Sequence, residues 1–167
     1  TQIDRICTPE LADAAAVTLE RRLKNGGGHT GWSCAWIAHF FARLFDSNKT
    51  YKMLRKLFTE STLDNLLDNC PPFVIDGNFG GANAILEMLV QDYGERVIIL
   101  PALPEKLGIG SLRGIRLKCG AILSMSWNDG ALCHLEIQAE RDMQTELYIN
   151  RNAKKVKLAA QEIYRCD

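Results

Sequence analysis

The chain has 167 residues, with 20 basic and 20 acidic side chains, enough for one compact domain or two small ones. No tract is strongly basic, which argues against a nucleic-acid surface, and no apolar run is long enough to cross a membrane. Cys7, Cys34, Cys70, Cys119, Cys133 and Cys166 are scattered, with no CxxC pair and no Cys/His spacing that would hold zinc. Free thiols in a reducing, cytoplasmic location are expected. A secreted or cell-surface location is the alternative, because a sequence opening on Thr1-Gln2-Ile3 lacks its natural start.

In chain order, Thr8-Pro9 opens a first helix, with Thr8 as cap and Pro9 in the first turn. It runs to about Lys24 and breaks at Gly26-Gly27-Gly28. A second helix, about Trp32 to Phe45, carries Trp32, Trp36, Ile37, Phe40, Phe41 and Leu44, an apolar stripe too wide for a surface helix. A third begins near Ser47-Asn48, with Tyr51, Leu54, Leu57 and Phe58 at helical spacing. Its start coincides with Asn48-Lys49-Thr50, a glycosylation sequon by pattern. A fourth follows the glycines near residue 80, with Ala82, Ile85, Leu86, Leu89 and Val90 inward.

After Gly94 the period changes from helical to alternating. Val97-Ile98-Ile99-Leu100 is a short buried run ended by prolines. Ala121, Leu123, Met125 and Trp127 alternate with polar neighbours, Asn128-Asp129-Gly130 supplies a turn, and Cys133, Leu135 and Ile137 line the return strand. Short strands follow at 146–149, 156–158 and 162–164, with Lys154, Lys155 and Lys157 on an outer face. The predicted organisation is a multidomain α+β fragment: helices over 1–94, then an antiparallel, sandwich-like β domain over 95–167.

The most informative stretch is Pro71-Pro72-Phe73-Val74-Ile75-Asp76-Gly77-Asn78-Phe79-Gly80-Gly81. An apolar run that wants burial ends in one carboxylate, Asp76, followed by a glycine-rich bend and a helix. Such an arrangement holds an acid at the lip of a pocket, and it equally describes a helix cap. Asn78 adds an amide that donates and accepts.

These residues, with His29-Thr30-Gly31-Trp32-Ser33, Ala35-Trp36, Ala42-Arg43-Leu44 and Leu100-Pro101-Ala102-Leu103-Pro104, resemble glycoside hydrolase family 95. That family is known for inverting α-L-fucosidases, with some α-L-galactosidases. The resemblance implies the last helices of an (α/α)6 toroid followed by the C-terminal β domain. It also implies a catalytic Glu acid and an Asn amide base made more basic by a neighbouring Asp. Asp76 falls on that Asp position, while the acid and the base have no matching positions here. By the same resemblance the chain acts on a fucosylated oligosaccharide only together with the N-terminal remainder of its parent, and uses no cofactor or metal. Six residues before its Asp, the family usually has a sugar-contacting His, where this sequence has Cys70.

His29, at the end of a glycine-rich loop, and Asn78 are further candidate sugar contacts. Trp32 and Trp36 lie one helical turn apart. Such rings stack on pyranose faces, but at this spacing core packing is the expectation, with Trp32 kept as a candidate contact. Two readings of other classes stand beside the hydrolase: a non-catalytic carbohydrate-binding or structural module, and a helix-packing interaction domain. If produced alone, the wide apolar helix faces are expected to drive self-association.

Overall fold

A computed structural model describes residues 3–166. The chain forms two compact units, Thr1–Leu89 and Val90–Asp167. The division falls before Gly94, because Val90–Asp92 leave the fourth helix and pair as a strand with the segment that follows.

The first unit holds α1 (Pro9–Lys24), α2 (Gly31–Arg43), α3 (Ser47–Glu60), the strand pair β1 (Asp68–Asn69) and β2 (Phe73–Val74), and α4 (Asp76–Leu89). Thr8 and Pro9 sit at the start of α1, but the Thr8 side chain does not cap the helix. Its hydroxyl instead accepts from the Asp4 N–H at 2.9 Å. The loop after α1 turns through Gly26 and Gly28 at φ 84° and 74°, angles that a side chain resists. Asp46 caps α3 by accepting from the Lys49 N–H at 2.9 Å, which places the sequon in that helix's first turn.

The helix faces differ in detail from the sequence reading. In α3 the buried stripe is Thr50, Met53, Leu54 and Leu57, while Phe58 is exposed. In α4 the buried face is Gly77, Gly81, Ala84, Met88 and Leu89, and Ala82 and Leu86 point outward. The expected face is rotated because the glycines are packing residues. No bend occurs there: all three glycines lie inside α4. A Cβ on Gly80 would meet the Ala35 methyl at 2.8 Å, and one on Gly81 would meet Leu57 at 2.7 Å. Close approach of α2 and α3 to this face therefore selects glycine over better helix formers.

The second unit contains β3 (Val90–Asp92), β4 (Arg96–Ile99), β5 (Gly110–Leu117), β6 (Ala121–Asn128), β7 (Ala131–Ala139), β8 (Met143–Ile149), β9 (Asn152–Leu158) and β10 (Ile163–Cys166). They form two four-stranded sheets, β3-β4-β8-β9 and β10-β7-β6-β5. Every pairing is antiparallel except β4 with β8. The predicted alternation holds in β6, where Ala121, Leu123, Met125 and Trp127 are buried. Asp129 and Gly130 turn the chain at φ 49° and 76°, the left-handed pair that a two-residue hairpin requires.

Cys133 is exposed, against expectation. Ser126 pairs with His134 and Trp127 with Leu132, so Cys133 is the extra residue of a β-bulge. The inward set on β7 is Leu135, Ile137 and Ala139. Strand β5 carries no clean alternation and itself shifts register between Leu112 and Ile115. Its first residue, Gly110, lies where any Cβ would overlap the Trp127 ring, whose indole N–H donates to the Leu107 carbonyl at 2.6 Å.

Candidate active site

The site is built on the first turns of α2 and α4 and on the hairpin between α3 and α4. In that hairpin Asn69 pairs with Phe73, which leaves Cys70, Pro71 and Pro72 as its turn. Cys70 is half-buried, and its N–H donates to the Pro72 carbonyl at 3.3 Å. Phe73 and Ile75 are 60% and 51% exposed, so the expected burial of that run does not occur within this unit. A two-stranded ribbon this short has no second layer to bury it.

Asp76 is the first residue of α4 and is exposed. A carboxylate there gains from the helix's partial positive charge. Asn78, two residues further in, closes the loop: its Oδ1 accepts from the Asp68 N–H at 2.8 Å, and its Nδ2 donates to the Leu66 carbonyl. Much of the hydrogen-bonding capacity of Asn78 thus holds the base of the hairpin against α4.

His29 is exposed just ahead of α2. Its Nδ1 lies 3.0 Å from the Gly26 carbonyl, an acceptor, so this nitrogen carries the proton and leaves Nε2 as the outward group. Thr30 caps α2 by accepting from the Ser33 N–H at 3.4 Å. Trp32 and Trp36 are 50% and 43% exposed rather than core. Their rings stack at 5.6 Å between centroids, Trp36 continues onto Phe40 at 4.7 Å, and the Arg22 guanidinium lies over Trp36. The expected core role fails for these two because Cys34, Ala35, Ile37, Ala38, Phe41 and Ala42 take the inner face of α2.

Sequence reasoning missed Asp68. It is 1% exposed and neither carboxylate oxygen gains a well-formed hydrogen bond. A Cβ added to Gly31, the first residue of α2, or to Gly77, the second of α4, would overlap that carboxylate. One buried acid therefore touches the starts of both helices, and through them adjoins the segments carrying His29, Trp32 and Asp76. Burial pushes its pKa up, the Asn69 and Gly77 N–H groups oppose the shift, and the Asp76 charge adds to it. The sequence signal is faint: glycine in the first turn of two helices, where nothing in the local pattern asks for it.

Further along, α2 and α4 are joined by the His39 Nε2 to Gly80 carbonyl contact at 3.0 Å and by the Arg43–Glu87 ion pair at 2.8 Å. Burial lowers the His39 pKa, which keeps the ring neutral and suited to this structural bond. Among the described residues, no cluster of His, Cys, Asp and Glu is placed to hold a metal ion.

Comparison with known proteins bears on the same segments. Residues 1–89 match the glycosyl hydrolase family 95 catalytic domain, and residues 91–165 match the glycoside hydrolase family 95 C-terminal domain. The chain is 36% identical over 152 residues to alpha-L-fucosidase 2 of Arabidopsis thaliana, covering 84% of this chain and 18% of that protein. It is 31% identical over 150 residues to the probable alpha-fucosidase A of Aspergillus niger, covering 77% of this chain and 18% of that protein. The chain thus spans less than a fifth of the length of these relatives. The four helices, with Asp76 at the start of α4, and the β1–β2 hairpin lie within the first match and nearly all of both four-stranded sheets within the second, and the chain belongs to glycoside hydrolase family 95.

Proposed function

We propose that this chain forms part of an inverting α-L-fucosidase-type glycoside hydrolase, with Asp76 in its catalytic centre. The observation that carries the reading is the placement of Asp76: exposed, at the start of α4, directly after a hairpin braced by Asn78. In this reaction water attacks the anomeric carbon while the glycosidic C–O bond breaks. The leaving oxygen takes a proton from a Glu, and the water proton passes to an Asn amide oxygen. Asp76, ionised, accepts from that amide's NH2 group, increases the basicity of its oxygen and fixes its orientation. The Glu and the Asn belong to the remainder of the parent protein, where these four helices close an (α/α)6 toroid. The chain alone is inactive on this reading. No step in it calls for a metal or cofactor.

Exposed His29 offers Nε2 to a sugar hydroxyl, and Trp32 offers a ring face. Cys70 replaces imidazole with a smaller, weakly polar thiol, which favours a shifted sugar preference, such as an α-L-galactoside. The exposed Trp32–Trp36 pair favours one second reading, a carbohydrate-binding module without catalysis. The free thiols support a reducing, cytoplasmic location.

The test is hydrolysis of an α-L-fucosyl oligosaccharide by the full-length parent, its Asp76→Asn variant and this chain, with the released anomer followed by NMR. Inversion by the parent alone, with kcat lowered at least about a hundredfold in the variant, is the expected result. Unchanged kcat in the variant removes Asp76 from the mechanism. Activity in the isolated chain means that the acid and base lie within it.

A further inference from the structure

We propose that Asp68 is the positioning residue of this site: its carboxylate, sealed between Gly31 of α2 and Gly77 of α4, sets where the first turn of α4 holds Asp76. That role presupposes Asp76 acting in the reaction as described above.

Three observations converge on Asp68. It is buried to 1% exposure with neither oxygen in a well-formed hydrogen bond, while the N–H groups of Asn69 and of Gly77, in the first turn of α4, favour its charged form. Second, both flanking positions are glycine, and a methyl group at either would displace the carboxylate. Two helices have thus given up a better helix former to admit one acid. Third, the Asp68 N–H is held by Asn78 Oδ1 at 2.8 Å. Asp76 is therefore bracketed: Gly77 beside it packs on the Asp68 side chain, and Asn78 after it grips the Asp68 backbone.

The physical logic is that of two convergent helix ends. The unsatisfied N–H groups of a helix's first turn make it partly positive. One carboxylate shared by two such ends draws them together and fixes their separation, which a neutral group of the same shape does less well. Asp76 sits one residue before the α4 contact, while His29 and Trp32 sit two residues before and one after the α2 contact. Any change at Asp68 moves the two sets relative to each other.

The experiment compares five variants of the full-length parent on the α-L-fucosyl oligosaccharide: Asp76→Asn, Asp68→Asn, Asp68→Ala, Gly31→Ala and the double variant Gly31→Ala/Asp68→Ala. Asp68→Asn keeps the shape and removes the charge. It is expected to lower kcat about tenfold to a hundredfold, with KM within about threefold of the starting value and unchanged kinetics of thermal inactivation. A purely structural role would lower the amount of folded enzyme and leave kcat per active molecule intact, and that outcome overturns the proposal. If Asp68→Asn does not fold, the decision passes to Gly31, which touches Asp68 but lies far from Asp76 in sequence. Gly31→Ala should lower kcat, and removing the Asp68 carboxylate should relieve part of that loss, whereas strictly additive effects overturn the proposal. Loss of activity in Asp76→Asn with full activity in Asp68→Asn sinks this role alone. Full activity in Asp76→Asn sinks the reading of the site on which it stands.

Discussion

The helical unit and the β unit use similar proportions of apolar residues and bury them differently. In the first, Trp32, Trp36, Phe58, Leu66, Phe73, Ile75 and Phe79 are all among the exposed large hydrophobics. In the second, only Leu107, Ile109 and Ile163 are, among the described residues. A strand has one inward face, so two sheets satisfy their apolar residues with each other's. The helices here have apolar residues on several sides, and four helices cannot cover all of them. A groove of about 620 Å3 lined by Leu11, Ala15, Leu19, Phe40 and Leu44 shows the same deficit on the α1–α2 side. The large apolar side chains left exposed are thus concentrated in the helical unit.

The sharpest way to break that contrast is to separate the two units. Residues 90–167 alone should unfold cooperatively in urea and sediment as a monomer. Residues 1–89 alone should self-associate and lose a cooperative transition altogether. A clean, cooperatively folding monomer from the helical half would erase the difference. Single substitutions sharpen it. Leu135→Ala, at a side chain with no exposure, should lower the unfolding free energy of the β unit by about 2–5 kcal/mol. Phe79→Ser, at a side chain 67% exposed, should change stability by no more than about 0.5 kcal/mol, while reducing self-association seen by sedimentation.

Thiol chemistry gives the smallest and most local test. Cys34 is fully buried and its thiol donates to the Met53 carbonyl at 3.1 Å. Burial pushes its pKa up to about 11, so at pH 8 only about a thousandth is the reactive thiolate. The sign follows from burial: deprotonation is disfavoured in the folded state, and reactivity appears only as pH rises toward that value. Alkylation followed by mass spectrometry should label Cys133, exposed at its bulge, well before Cys34 at every pH from 7 to 9. Equal rates would mean that the helical core opens locally on the labelling timescale.

Much of this molecule was legible from pattern. The glycine run after Lys24, the helical spacing of α2 and α3, the alternation in β6 and the turn at Asp129-Gly130 all rest on local physics that tertiary packing leaves intact. What escaped depends on neighbours. The α4 face turns on how closely α2 and α3 approach, which makes Gly81 interior and Leu86 exterior. Strand β5 hides its period behind a register shift, and Cys133 changes sides because the bulge adds a residue. Asp68 reads as one more acid in a polar loop, since its meaning lies in two glycines dozens of positions apart in the chain. Asp76 and Asn78 stand out in the sequence, one as a carboxylate at the end of an apolar run and the other as an amide among glycines, whereas Asp68 does not.

The Asn78 clasp has a consequence for variation. It closes the chain from Leu66 to Asn78 into a loop whose shape is set at its base, while Cys70 sits at the far end, in the hairpin turn. The backbone at position 70 is placed by the clasp and by the pairing of Asn69 with Phe73, neither of which involves the side chain of residue 70. Chemistry at that point is thus separable from architecture. Imidazole, thiol or hydroxyl should therefore exchange there without remaking the loop, so variants at position 70 of the full-length parent test the proposed sugar contact independently of the fold.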